Sequence, residues 1–311
     1  MNEMLTFFYN LKPINLSKVE NTFEFMDNHN FFLLYPVQRS KEELMDIYQI
    51  CEELKIKNIP VHTFILNREN KIISKIYDQD YILFKIETHK EKEMNILDII
   101  EFQNKLIISK NKVNLYRNNW GELWSKKIDY FEYQIRELGK NKKVILNSFS
   151  YYVGLAENAI AYANNTNNKF SLNSFDKICL NHRRLDFPNL TKAYYNPLLF
   201  IFDLQVRDIA EYLKSAFFKS EMDAWIEFKT FINFQKRSIY EYQMFYARML
   251  YPSYYFDMYE KIMNGEESEE KLIFYIEKSK NYEQFLKNMY YEIIKIVQIE
   301  KIDWLEKKKE S

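Results

Sequence analysis

His182-Arg183-Arg184-Leu185-Asp186-Phe187-Pro188-Asn189 is the stretch on which the reading of this 311-residue sequence turns. It sits within residues 174–203, where the helical spacing of apolar residues seen on either side lapses. Roughly a dozen residues on, Leu198-Leu199-Phe200-Ile201-Phe202-Asp203 reads as an apolar strand ending in a carboxylate. Chemistry in this chain is expected in that interruption, between a polar loop and a strand-end acid.

A kinase catalytic loop reads H-R-D-L-x-x-x-N, its Asp taking the substrate proton and its Asn holding a metal ion. This chain keeps His182, Arg183, Leu185 and Asn189 at that spacing and puts Arg184 where the base belongs. Asp203 falls where such a fold places its metal-binding carboxylate. A guanidinium accepts no proton at neutral pH, and a general base typically contributes a factor of about 10²–10⁴. Asp186, two residues later, is a weak substitute.

Working outward, the front of the chain reads as strands around one helix. Residues 5–9, 22–25 and 30–37 are rich in β-formers, and 61–66 and 81–86 add two more strands. Ser40 with Glu43 three residues on has capping-box spacing, and Leu44, Ile47, Tyr48, Cys51 and Leu54 follow at helical intervals. A helix is therefore expected over 40–57. Behind the interruption's N-terminal side, 94–106, 123–138 and 150–163 repeat apolar residues every three or four positions, and helices resume from Val206. The fold class that results is α+β: a five-stranded antiparallel sheet with one helix, then a larger, mostly helical part. The division is expected in the polar link near 87–91, giving residues 1–87 and 88–311, with the degenerate loop at 176–208.

Composition narrows the function classes. Lys and Arg total 44 and balance 44 Asp and Glu, so no basic stripe points to nucleic acid or anionic lipid. Cys51 and Cys179 fall among apolar residues and read as small core side chains rather than a disulfide pair. No signal peptide or membrane-length apolar run is legible, so cytoplasmic synthesis is expected. His29, His62, His89 and His182 are scattered, with no metal-site spacing. The 25 Tyr and 25 Phe fit core packing together with drift in an AT-rich genome; the alternative is that Trp120, Trp124 and the tyrosines form an exposed adhesive surface.

Several blocks carry a family resemblance: Phe32-Leu33-Leu34-Tyr35-Pro36-Val37-Gln38-Arg39-Ser40, Asn58-Ile59-Pro60-Val61-His62-Thr63-Phe64, Trp120-Gly121-Glu122-Leu123-Trp124 and the loop from His182 to Asn189. Asp203-Leu204-Gln205-Val206-Arg207-Asp208-Ile209-Ala210-Glu211-Tyr212 and Tyr246-Ala247-Arg248-Met249-Leu250-Tyr251-Pro252 complete it. The chain resembles the aminoglycoside phosphotransferase and choline kinase-like superfamily, and within it the CotS-like and YutH-like spore coat proteins. That resemblance implies a bilobal protein kinase-like fold, a role in sporulation of an endospore-forming bacterium, deposition in the spore coat, and other coat proteins as partners.

The departures imply a pseudokinase. By the resemblance, the strand lysine that pairs with nucleotide phosphates would fall near Tyr35, and that strand has no lysine; Arg39 is the nearest cation. Glu43 and Glu53 are the candidates for its helix partner. Residues 1–120 contain no glycine, so no Gly-rich phosphate loop exists there. Asp208 is expected to cap the helix beginning at Ile209. No catalytic residue and no cofactor are expected; if a nucleotide site is retained, Asn189 and Asp203 would hold ATP and Mg²⁺. The alternative is an active phosphotransferase with unusual catalytic residues.

Overall fold

The computed structural model describes residues 1–19, 21–86, 94–105, 113–138, 141–172, 176–183, 185 and 194–306. The chain divides into two compact units, one of residues 1–94, 106–116 and 189–201, the other of 95–105, 117–188 and 202–311.

In the first unit, strands β1 (Ile14–Val19), β2 (Thr22–Asp27), β3 (Asn30–Pro36), β4 (Thr63–Ile65), β5 (Ile73–Ile76) and β6 (Gln79–Ile86) form one antiparallel sheet. The order is β1-β2-β3-β6-β4, with β5 also on β6. In register, Phe25 faces Phe32 and Leu34 faces Leu83. The sheet thus has six strands rather than five, and the region has two helices rather than one. Residues 5–9, expected as a strand, belong to helix α1 (Asn2–Tyr9). Their β-forming side chains are overridden by packing: Leu5 and Tyr9, one helical turn apart, bury in the cluster of Phe25, Phe32, Leu34, Ile76 and Leu83. Burying a side chain such as Leu5 stabilises by about 1.5–3 kcal/mol, more than the propensity it opposes. Asn10 ends the helix in the left-handed conformation, φ 59°.

Strand β1 was not foreseen because it is an exposed edge without alternation; Asn15 has φ 55° and the pairing with β2 shifts register between Ile14 and Ser17. Helix α2 (Lys41–Ile56) matches its expectation. The Ser40 hydroxyl accepts from the Glu43 amide at 3.2 Å, and Leu44, Ile47, Cys51 and Leu54 form the buried stripe. Before it, buried Arg39 donates to the Leu198 carbonyl (2.9 and 2.6 Å) and the Phe200 carbonyl (2.8 Å), and lies 3.6 Å from Glu43.

The second unit is helical, built on α3 (Ile96–Lys105), α4 (Trp120–Leu138), α5 (Lys143–Lys169), α6 (Val206–Lys219), α7 (Glu221–Phe234) and α8 (Ile239–Leu250). It is completed by α9 (Ser253–Met263), α10 (Lys271–Glu277), α11 (Ser279–Ile293) and α12 (Asp303–Glu306). Strands β7 (Ile178–His182) and β8 (Phe200–Leu204) pair as a separate two-stranded sheet. Gly121 sets the spacing of α4 on α5: a Cβ there would lie 1.9 Å from the Asn164 Oδ1. Cys51 and Cys179 are both buried free thiols. Among the described residues no helix is long and apolar enough to cross a membrane.

Candidate functional site

The site grows from the sequence around β7, the end of β8 from Phe202 on and the start of α6, all within the second unit. β7 is almost wholly buried and delivers His182 to its end. Helix α6 begins at Val206, two residues after β8, so Asp208 lies in its first turn, where a carboxylate is favoured by the exposed amides. Asp208 does not cap the helix, as the sequence suggested, because α6 starts earlier. Its carboxylate instead accepts from the His182 amide at 2.9 Å and pairs with His182 Nδ1 at 2.6 Å, both side chains being buried. The entry to the loop is thereby pinned to a helix.

Asp203 is completely buried. Its Oδ1 accepts from the Leu204 amide (2.8 Å) and from the Trp120 indole (3.1 Å); Oδ2 accepts from the same indole (2.8 Å) and from Arg207 Nη1 (2.6 Å). Arg207 also donates from Nε to the His182 carbonyl at 3.1 Å and from Nη2 to the Arg183 carbonyl at 3.4 Å. One guanidinium therefore ties the strand-end acid to the backbone entering the loop. Burial pushes the Asp203 carboxyl above its ordinary range, against the opposing pull of Arg207, Arg248 and Trp120.

One turn along α6, Glu211 accepts from Lys214 Nζ, Arg248 Nε and the Ser253 hydroxyl, each at 2.8 Å. Burial raises the Glu211 carboxyl, but Lys214 and Arg248 outweigh it and hold the group well below the usual carboxylate range. Lys214 also donates to the carbonyls of Arg248 and Tyr251, and burial lowers it to about 8. The Arg248 guanidinium lies 4.8 Å from the ring centre of Trp120, and Trp124 stacks on Tyr251 at 4.4 Å. Two buried ion-pair groups result, Asp203 with Arg207 and Glu211 with Lys214 and Arg248, and the Arg248 charge also acts on Asp203.

Of the residues singled out in the sequence, His182, Asp203 and Asp208 come together here. Arg184, Asp186 and Asn189 lie outside the described residues; Leu185 is buried. Tyr35 lies in the first unit on β3, edge-on to Phe84, with its hydroxyl 3.5 Å from Asn196 Nδ2. Burial, then the Glu24 charge, pushes its phenol up to about 12. Glu43 is buried beside Arg39, whereas Glu53 is exposed. Among the described residues no group of three His, Cys, Asp or Glu is placed to hold a metal ion. Sequence reasoning assigned no role to Arg207, Glu211, Lys214 or Arg248, and offered Trp120 and Trp124 only as part of an exposed adhesive surface, whereas both are buried. Their signal was present: all but Lys214 fall inside blocks that carried the family resemblance.

A family model for the spore coat putative kinase YutH matches residues 2–289. The chain belongs to that family. A similar relative is the endospore coat-associated protein YutH of Bacillus subtilis strain 168, 27% identical over 302 residues and covering 89% of each chain. Among solved structures, the fold is similar to an aminoglycoside phosphotransferase from Alicyclobacillus acidocaldarius, with TM-score 0.62 and 11% identity over 92% of this chain and 94% of that one. A spectinomycin phosphotransferase solved with AMP gives TM-score 0.56 at 10% identity, covering 93% of each. An amicoumacin kinase solved with AMP-PNP and Ca²⁺ gives 0.53 at 11%, over 92% of this chain and 91% of that one. The family's fold is thus the kinase-like α+β fold expected from the sequence.

Proposed function

We propose that this chain is a spore coat-associated protein of kinase-like fold that does not transfer phosphoryl groups and works through contacts with other coat proteins. The observation that carries this reading is the commitment of Asp203. Its two oxygens accept from Trp120, Arg207 and the Leu204 amide inside the protein, leaving it poorly suited to ligate a metal ion. Tyr35 adds support, since a phenol held up to about 12 is neutral and cannot pair with phosphate as a lysine does. Arg184 at the base position of the loop sequence points the same way. ATP and Mg²⁺ therefore fit these residues poorly.

The other reading is an ATP-dependent small-molecule or protein phosphotransferase with unusual catalytic residues. It is favoured by the firm anchoring of His182 to Asp208, which holds the loop entry in one geometry. The amicoumacin kinase of similar fold was solved with AMP-PNP and Ca²⁺, so the fold itself accepts a nucleotide and metal.

Calorimetric titration of the full chain with ATP and Mg²⁺, beside Asp203→Ala and with ADP release followed in parallel, separates the two. No saturable heat, no rise in Tm and no ADP up to millimolar ATP are expected, because any ligand bound to the native state would stabilise it. Magnesium-dependent binding with ADP formation, abolished in Asp203→Ala that still melts cooperatively, would overturn the proposal.

A further inference from the structure

A groove runs along α5 in the helical unit, remote in sequence from the catalytic-loop region. Its larger part is a cavity of about 720 Å³ lined by Tyr151, Leu155, Glu283, Lys287, Trp304 and Leu305, among others. A second depression of about 300 Å³ shares Tyr151 and extends to Val144. From Val144 to Asn158 the lining follows α5 for about 21 Å at 1.5 Å per residue, the length of a helix of about four turns.

Its apolar lining is Tyr151, Leu155, Trp304 and Leu305, with Asn158 and Gln284 beside them, and the floor is open at Gly154. A Cβ added at Gly154 would meet nothing within 4 Å. The rim is basic: Lys280 and Lys287 both line the cavity from α11, two turns apart, and among the described residues neither ammonium has a carboxylate within ion-pair distance. The acid lining the cavity, Glu283, accepts from the Tyr151 hydroxyl at 2.7 Å.

The chain itself places a short acidic and apolar segment at one end of this groove. Helix α12 reads Asp303-Trp304-Leu305-Glu306, and Trp304 and Leu305 line the cavity. The Trp304 indole N–H is buried without an acceptor. The apolar lining calls for a partner face of aromatic and leucine anchors, and the two rim lysines call for carboxylates beside it.

We infer that this groove docks an acidic amphipathic helix of a partner protein, its apolar face against Tyr151, Leu155 and Trp304 and its carboxylates on the two lysines. The inference does not rest on the absence of phosphotransfer and survives whichever way the nucleotide titration falls.

The test is fluorescence anisotropy of the full chain with a labelled, end-blocked peptide of about four helical turns, Trp and Leu on one face and Asp and Glu on the other. A second peptide carries Lys in place of every acid. Lys280→Glu/Lys287→Glu reverses the rim, and Gly154→Trp fills the floor; circular dichroism and melting report whether each variant is folded. The expected result is micromolar binding of the acidic peptide, weakened at least about tenfold by either variant and by raised salt, with the basic peptide not bound. No binding of the acidic peptide, equal binding of the basic one, or binding unchanged by the folded lysine variant overturns the inference. The lysine side chains make no ion pair among the described residues, so that variant remains informative even if Gly154→Trp fails to fold.

Discussion

Glu211→Gln is the perturbation that most directly interrogates the buried ion-pair group of Glu211, Lys214 and Arg248. Glu211 receives Lys214, Arg248 and Ser253 at 2.8 Å each, with side-chain exposures of 2% for Lys214 and 7% for Arg248. Removing the carboxylate charge leaves two buried cations without their shared anion, a change that typically costs about 3–5 kcal/mol. The cost depends on pH through Lys214. Burial lowers that amine from 10.5 to about 8, and Glu211 is the largest influence pulling it back up. Because the folded value lies below the unfolded one, the folded state releases this proton first, and stability rises with pH across that window. Without Glu211 the amine falls further, so at alkaline pH wild type and variant both carry a neutral Lys214, while near pH 6 the variant must still bury or discharge it. Each unit of additional shift corresponds to about 1.4 kcal/mol. The variant should therefore lose about 3–5 kcal/mol near pH 6 and recover about 1–3 kcal/mol of that difference by pH 10. Urea unfolding followed by far-ultraviolet circular dichroism, wild type and variant in matched buffers, measures it. A deficit that stays constant from pH 6 to 10 would refute the assigned coupling between Glu211 and Lys214.

Asp208→Asn removes the charge that holds His182 and should cost about 2–3 kcal/mol, with the His182 imidazole resonances shifting in NMR spectra; an unchanged Tm would contradict the anchoring. Arg39→Lys leaves the Leu198 and Phe200 carbonyls short of donors and should lower stability by about 1–3 kcal/mol, checked by chemical denaturation. Glu241 is raised to about 7, by burial first, with Arg237 opposing. Its charged form is therefore disfavoured in the folded state, and stability falls as pH rises from the ordinary 4.5 towards 7. Glu241→Gln should flatten that decline and leave stability below about pH 4 nearly unchanged, measured as Tm against pH.

How much of this was legible in the sequence depended on the range of the interaction that decides each feature. Helix α2 was readable because Ser40, Glu43 and the stripe from Leu44 to Leu54 are all local. Strands β2, β3 and β6 were readable because their β-formers also pack in the sheet. Residues 5–9 misled because Thr, Phe and Tyr favour strands, while the burial of Leu5 and Tyr9 against Phe25 and Leu83 is a tertiary fact. Strand β5 was too short, at four residues, to declare a period. At the site, the position of Asp203 at a strand end was visible, but its partner Trp120 lies 83 residues away, and no spacing rule reaches that far. Asp208 looked like a cap because acids favour helix starts; only the fold shows that its oxygens reach His182.

The bend at the margin of the sheet bears on how such a chain behaves when crowded. Among the described residues β1 presents an unpaired outer flank, and a straight strand there would invite a neighbouring copy to add itself backbone to backbone, then another. The left-handed Asn15 and the register slip beside it break the even row of amides and carbonyls on which that growth depends. Lys18 adds a charge to the same strand, its ammonium 5.8 Å from the ring centre of Phe23 on β2. A molecule blunted in this way resists open-ended stacking at high local concentration, so whatever neighbours it keeps are chosen by side chains on its surface rather than by its backbone.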